Sequence, residues 1–595
     1  MEEILLHPII QAISELFGTS VDASKIQLQK TRKEFEGDIT LVVFPLIQLS
    51  KKSPEVTAHL LGEYLQKNVR ELKSFNVVKG FLNISLNDHF WLGTFQSIAR
   101  AENWGCGTKG SLPRVLVEYS SPNTNKPLHL GHLRNIFLGY SVSKILEARG
   151  HKITRVQIIN DRGIHICKSM VAWLRFGKGE TPDNTGMKGD KLVGKYYVEF
   201  DKHLKKEQLE LTKSGVPFEE AAEKSSMMIE ARDMLRNWEA RNPQVIQLWN
   251  TMNGWVYDGF NASYNRMGVT FDKLYYESNT YLLGKKEVEE GLQKGVFFSK
   301  EDGSVWVDLT GEGLEEKALL RKDGTTMYIT QDIGTAILRF RDFPDTAYQI
   351  YTVGNEQEYH FKVLFAILKK LGFKQAEQNF HLSYGMVELP EGKMKSREGT
   401  VVDADDIMNE MESVSKEVAD EQGKLDGVSE SEKTGLYHVI GMAALKYFLL
   451  KVDPKKNMMF NPKESIDFNG NTGPFIQYTY VRTLAVLRKA DELGMTWSVD
   501  SVLPSTLEKQ ELDLVRRMYE WPSILIEAAN NYNPSVIAHY CYELARSFNS
   551  FYHDISILRE QDEIQRDFRI NLTSITGRTL RNAMNLLGID MPERM

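Results

Sequence analysis

Apolar residues in this chain recur at helical and then at strand spacing, and the two periods alternate far into the sequence. Leu5, Ile9, Ile13 and Leu16 form one face of an opening helix. KIQLQ (25–29) and TLVVFPL (40–46) read as strands, TAHLLGEYLQKNV (57–69) as a helix and VVKGFLNISL (77–86) as a further strand. Residues 115–119 are apolar and β-branched, which predicts a buried strand. The polar stretch 120–128, with two prolines and two asparagines, predicts a loop. From His129, the residues Leu133, Ile136, Phe137, Tyr140 and Leu146 follow at helical spacing until Gly150 closes the run. Residues 153–160 predict a second strand, ending in the polar loop Asn160-Asp161-Arg162-Gly163.

Beyond it, residues 170–265 turn charged and helical, as an insertion between two halves of a sheet. VWVDL (305–309) and YQIYTVG (348–354) predict strands. The latter runs into an apolar helix, FKVLFAILKKLGF (361–373), and HLSYGMVEL (381–389) predicts the last strand. Residues 403–420 form an acidic helix, and from 433 the pattern is helical to the end, with no strand alternation. Strands separated by helices imply a parallel α/β sheet, whose ligands sit at the carboxyl ends of its strands.

At 595 residues the chain is too long for one core, so two to four domains are expected. No run of 18 apolar residues predicts a membrane helix, and the acidic, amphipathic N-terminus is unlike a signal peptide. Three scattered cysteines suggest neither a disulfide framework nor a zinc site, which fits a reducing cytoplasm. The formal charge of −7 argues against coating nucleic acid indiscriminately, but not against holding RNA with local patches. Residues 105–110, GCGTKG, match GxGxxG but follow a helical run and precede a strand. That is the reverse of a dinucleotide fingerprint, and a hinge between domains is the better reading.

The strongest chemical signal is His129-Leu130-Gly131-His132 at a predicted helix start. Free N–H groups and the positive dipole end suit a phosphate there. Gly131 admits a flat base, and two imidazoles can donate to oxygens that gain charge during reaction at phosphorus.

This stretch resembles the HIGH signature of class I aminoacyl-tRNA synthetases, and SSPNTNKPLHLGHLRN (120–135) closely resembles its arginyl version. The resemblance implies a small α/β N-terminal domain touching tRNA (1–110), a Rossmann-like parallel-sheet catalytic domain (111–432) with the helical insertion, and an all-α anticodon-binding domain (433–595). It implies that His129 and His132 act on the transition-state phosphate, with Gly131, His360, Met386, Lys393 and Ser396 around ATP. Asn123 and Gln357 would hold the amino acid backbone, and Glu277, Tyr328 and Asp332 the guanidinium. Fixed carboxylates suit that cation because bidentate pairing supplies charge and planar geometry together. Residues 393–397, KMKSR, occupy the KMSKS position. Ser396 stands where the second lysine belongs, and Lys395 one place earlier. Lys126 matches a lysine thought to take over that role in arginyl enzymes with a degenerate loop. Tyr552 and Met595 match positions that pack on anticodon bases, and Arg546, Arg578 and Arg581 are candidates for phosphate contacts.

The expected partners are tRNA(Arg), L-arginine and ATP with Mg2+, with tRNA required before activation. A cytoplasmic monomer with no membrane partner and no protein-bound metal is expected. Two alternatives remain at this level. A small-molecule adenylyltransferase shares HxGH but needs neither the helical C-terminus nor Asp332 and Glu277. A catalytically silent RNA-binding relative would keep the C-terminus and lose the histidines.

Overall fold

The computed structural model describes residues 1–388, 402–422, 429–467 and 469–595. They form two compact units. The first comprises residues 1–104, 483–521 and 546–578; the second comprises 105–482, 522–545 and 579–595. The GCGTKG stretch begins where the second unit begins.

In the first unit, β1 (Gln27–Lys30), β2 (Ile39–Val42), β3 (Leu72–Val78) and β4 (Phe81–Leu86) form an antiparallel sheet of order β1-β2-β4-β3. VVKGFLNISL, expected as one strand, is the heart of the β3–β4 hairpin. Lys79 and Gly80 both take positive φ (50° and 77°), as a two-residue turn demands. The sheet shares its unit with the later helical segments. Asp38 is buried, accepts the Leu86 N–H at 2.7 Å and pairs with Arg516; Phe95 meets Phe568 edge-on at 5.1 Å.

In the second unit, β5 (Leu112–Glu118), β6 (His151–Ile159) and β7 (Lys273–Tyr276) belong to a five-stranded parallel sheet. Three short strands then form a separate antiparallel sheet: β8 (Phe298–Ser299), β9 (Val305–Val307) and β10 (Lys317–Leu320). The pattern had picked out only the middle one. The chain returns to the main sheet as β11 (Thr346–Gly354) and β12 (Phe380–Tyr384), completing the order β12-β11-β5-β6-β7. β5 is central, with Val115, Leu116 and Val117 fully buried. The chain leaves β5 towards β6 on one side and returns on the other as β11, so a switch point opens at the carboxyl end of β5.

The insertion between β6 and β7 is helical throughout, including Ile164–Phe176, Gly189–Lys213, Ser226–Glu239 and Pro243–Met267. Its own core is built on Leu192, Tyr196, Phe200, Met227 and Ala231.

The expected last strand is cut short. β12 stops at Tyr384, and β13 (Val387–Glu388) pairs instead with β14 (Met458–Met459), in parallel. The break is at Gly385, where a Cβ would lie 2.6 Å from the Lys456 carbonyl. β14 also interrupts the region expected to be wholly helical. No helix among the described residues is long and apolar enough to cross a membrane.

Candidate functional site

The carboxyl end of β5 is shaped by a tight corner. Ser120 and Ser121 both take positive φ (71° and 45°), a conformation that costs energy for side-chain-bearing residues. Several bonds hold it. The Ser120 N–H donates to Asn135 Oδ1 at 2.6 Å, and Ser121 Oγ donates to Glu118 at 2.9 Å. Asn135 also donates to the Thr352 carbonyl on β11, at 2.6 Å. Below the corner, Glu118 forms a buried ion pair with Arg339.

The loop then delivers His129 as the N-cap of the helix Leu130–Ala148. His129 Nδ1 accepts the Gly131 N–H at 3.2 Å, and His132 Nδ1 accepts the His129 N–H at 3.1 Å. Two imidazoles thus form a reciprocal cap, with ring centroids 3.9 Å apart. Both Nδ1 atoms act as acceptors, so in the neutral rings the proton sits on Nε2. Neither Nε2 has a hydrogen-bond partner among the described residues. Burial, then the charge of Lys126, holds His129 down to about 3; burial, His129 and Lys126 hold His132 well below its usual value. The pair is therefore neutral at pH 7 and presents N–H donors. Lys126 itself is depressed by burial.

Gly131 is constrained by this arrangement: a Cβ there would sit 3.1–3.2 Å from the His129 ring. Gly131→Ala is expected to lower adenylate formation about tenfold by displacing that ring. Its melting temperature should hold or rise, because alanine favours a helix over glycine by about 0.5–1 kcal/mol. Single-turnover kinetics and a thermal melt check this, and unchanged kinetics would refute it.

One turn on, Arg134 is buried and donates to the carbonyls of Gly385 (2.6 Å), Asp453 and Pro454 (both 3.2 Å). It ties the helix to the segment carrying Met386. The Met386 N–H donates to Asn457 Oδ1 at 2.8 Å, and its carbonyl accepts the Met458 N–H at 3.0 Å. An adenine contacting this backbone must therefore use the second lone pair of the carbonyl or compete with Asn457.

Acidic groups gather on the opposite flank. Asn123 bridges Asn160, extending the β5–β6 pairing beyond both strands. Asp161 is buried and accepts the Ser278 N–H (2.8 Å), Ser278 Oγ (2.7 Å) and Tyr257 OH (3.0 Å). That grip fixes Glu277 at the start of a short helix. Burial, with the carboxylates of Asp161 and Asp332, outweighs Arg162 and raises Glu277 to about 7. Asp332 lies in the helix Tyr328–Asp342, and its Oδ2 is 2.6 Å from His360 Nε2. The structure thus joins two residues that the sequence reading had given to different ligands. Tyr328 is 80% exposed, and Gln357 is exposed ahead of the helix Glu358–Lys370.

Lys393, Lys395 and Ser396 lie outside the described residues. The chain that follows them is anchored tightly. Asp403 bridges His129, and the Ala404 N–H donates to the Leu128 carbonyl at 2.9 Å. Lys188 of the insertion reaches Asp405 at 2.6 Å, and Lys191 reaches Asp406 at 2.7 Å and Asp403 at 3.4 Å. The sequence offered no signal for this clamp beyond unpaired charge on both segments.

Tyr552 is half-exposed on the helix Pro534–Asp554, in the first unit; Met595 is half-buried and belongs to the second. Arg546 and Arg581 are exposed. Arg578, considered for phosphate, instead donates to the carbonyls of Ile98 and Ala99, closing the end of the helix Asp88–Arg100. Among the described residues, no group of three or more His, Cys, Asp or Glu side chains is placed to hold a metal ion.

Comparison with known proteins bears on the family and the fold. The family description "tRNA synthetases class I (R), catalytic domain" matches residues 101–461, and "DALR anticodon binding domain" matches 476–595. The arginine–tRNA ligases of Phocaeicola vulgatus and Bacteroides fragilis are each 55% identical to this chain, over the whole of both chains. Among solved structures, Thermus thermophilus arginyl-tRNA synthetase superposes with a TM-score of 0.77 at 23% identity, covering all of both chains. The Plasmodium falciparum enzyme gives 0.74 at 18%, covering all of this chain and 99% of that one. At such identities the two structures speak for the fold alone.

Proposed function

The chain belongs to the arginyl-tRNA synthetases of class I, and from that premise we propose how its residues divide the work. The enzyme activates L-arginine with ATP and transfers it to tRNA(Arg). An arginine carboxylate oxygen attacks the α-phosphorus and pyrophosphate leaves. The tRNA terminal 2′-hydroxyl then attacks the adenylate carbonyl and AMP leaves. The first nucleophile is already ionised, so catalysis there is positioning and charge stabilisation.

In our reading, the Nε2–H groups of His129 and His132 donate to the phosphate as its charge grows, and Lys126 supplies the positive charge beside them. Gly131, His360, Met386 and Ser396 border the nucleotide, and Lys393 serves the departing pyrophosphate. Mg2+ arrives with ATP. Asn123 and Gln357 hold the amino acid's backbone, while Glu277, Tyr328 and Asp332 take the guanidinium. Tyr552 and Met595 meet the anticodon. Functionally the chain divides into 1–110 for tRNA contact, 111–432 for catalysis and 433–595 for the anticodon. The setting is a cytoplasmic monomer.

The observation that carries the substrate assignment is the gathering of three carboxylates: Glu277, partly buried and held at about 7 chiefly by that burial, feels the charges of Asp161 and Asp332. Such a cluster stabilises a cation. The sign for pH follows. Arginine favours the Glu277 carboxylate, so its affinity is complete above pH 7 and is lost as pH falls through that value. The arginine KM is expected to rise by at most about tenfold per unit below pH 7 and to level off above pH 8. Glu277→Gln should abolish the slope; a native enzyme with a flat profile would refute the assignment.

The reading as a whole is tested by pyrophosphate exchange with each amino acid, with and without total tRNA. Exchange is expected with arginine alone, and only with tRNA present. Exchange driven by another amino acid would reject the substrate, and full exchange without tRNA would reject the requirement for it.

A further inference from the structure

Asp332 is not bare. His360 Nε2 stands 2.6 Å from its Oδ2. His360 is carried on a different helix and is fixed from behind. Its ring meets Phe361 edge-on at 5.7 Å, and Phe361 in turn stacks on His381 at 4.5 Å. His381 is bonded to the Val353 carbonyl of β11 at 3.0 Å. Asp332 keeps 44% of its side chain exposed, while His360 keeps 28%, so the carboxylate remains open to solvent although one oxygen accepts from the imidazole.

A guanidinium satisfies a carboxylate best through two parallel N–H···O bonds, one to each oxygen. One of those oxygens already accepts from His360 through one of its lone pairs, so a guanidinium N–H reaching the same oxygen competes with the imidazole. We propose that His360 is an internal occupant of the guanidinium subsite. It holds Asp332 in place and competes with arginine for Oδ2. This rests on the assignment of Asp332 to the guanidinium and adds a positioning residue to it. A cognate side chain with two donors can exchange with His360 at little cost. A side chain with one donor makes one bond where arginine makes two, so lysine binds more weakly.

The test is calorimetric titration of arginine into the full-length enzyme, with tRNA and without ATP. His360→Ala removes the competitor, so arginine should bind about three- to tenfold more tightly, the equilibrium weight of one such hydrogen bond. His360→Gln keeps a neutral donor in reach and should fall between Ala and native. In the Asp332→Ala background, His360→Ala should change arginine affinity less than about twofold, because the shared partner is gone. Lysine binding should improve in His360→Ala by at least as much as arginine binding. A merely structural His360 would weaken arginine binding when removed, and either that loss or an unchanged affinity would overturn the proposal. If Asp332→Asn alone left arginine affinity intact, the guanidinium assignment itself would fall, a result separate from any effect at His360.

Discussion

Asp332→Asn is expected to raise the arginine KM by about 30- to 150-fold while moving the ATP KM less than about threefold. The substitution keeps the size and one oxygen but removes the charge that a guanidinium pairs with. Truncating one member of a desolvated charge pair costs about 2–5 kcal/mol. Asp332 is partly exposed before arginine enters, which places it at the low end, about 2–3 kcal/mol, and each 1.4 kcal/mol is tenfold. Steady-state kinetics in each substrate decide it, and equal effects on both would reject the site. Lysine should remain a poor substrate, because its ammonium cannot match a bidentate fork. No editing activity is then needed, and rapid deacylation of mischarged tRNA by this enzyme would contradict that.

Lys126→Ala is expected to lose about 10²–10³ in adenylate formation, the usual cost of one transition-state donor, with tRNA binding unchanged. Lys126 is close enough to depress both imidazoles, so it shares the field that acts on the phosphate. Burial also weakens its hydration, so its charge acts strongly on a ligand that replaces water. Lys395 is the competing candidate for the missing lysine at Ser396, and Lys395→Ala should lose less than about tenfold. Single-turnover adenylate formation with tRNA present compares the two. A near-normal Lys126→Ala, or a more damaged Lys395→Ala, would overturn the assignment.

Features written within a few neighbouring residues were legible without the structure. The strand ending near Tyr119, the polar loop and the helix opening at His129 are local, because strand, loop and cap signals act over a turn or two of chain. The helical insertion and the β11 strand with its following helix were equally plain. Where local signals failed, the cause was specific. Apolar residues crowd close on both sides of Lys79 and Gly80, so a hairpin looked like one strand. At Gly385 the chain leaves the sheet because Arg134 and residues 454–457 claim its backbone, and nothing nearby in sequence announces them.

The amino-acid sequence by itself determined which residues carry charge, which faces are apolar and which family the site resembles. Only the tertiary structure decided what those groups bond to. His360 meets Asp332 across 28 residues, and Lys188 meets Asp405 across 217. Arg578 closes the end of a helix through the carbonyls of Ile98 and Ala99. Periodicity reports that a side chain is buried or free, but the partner of a polar group is set by packing between elements distant in the chain. The state of the site depends on those partners: the neutral imidazoles, the raised Glu277 and the occupied Asp332 all arise from neighbours that chain folding brings together.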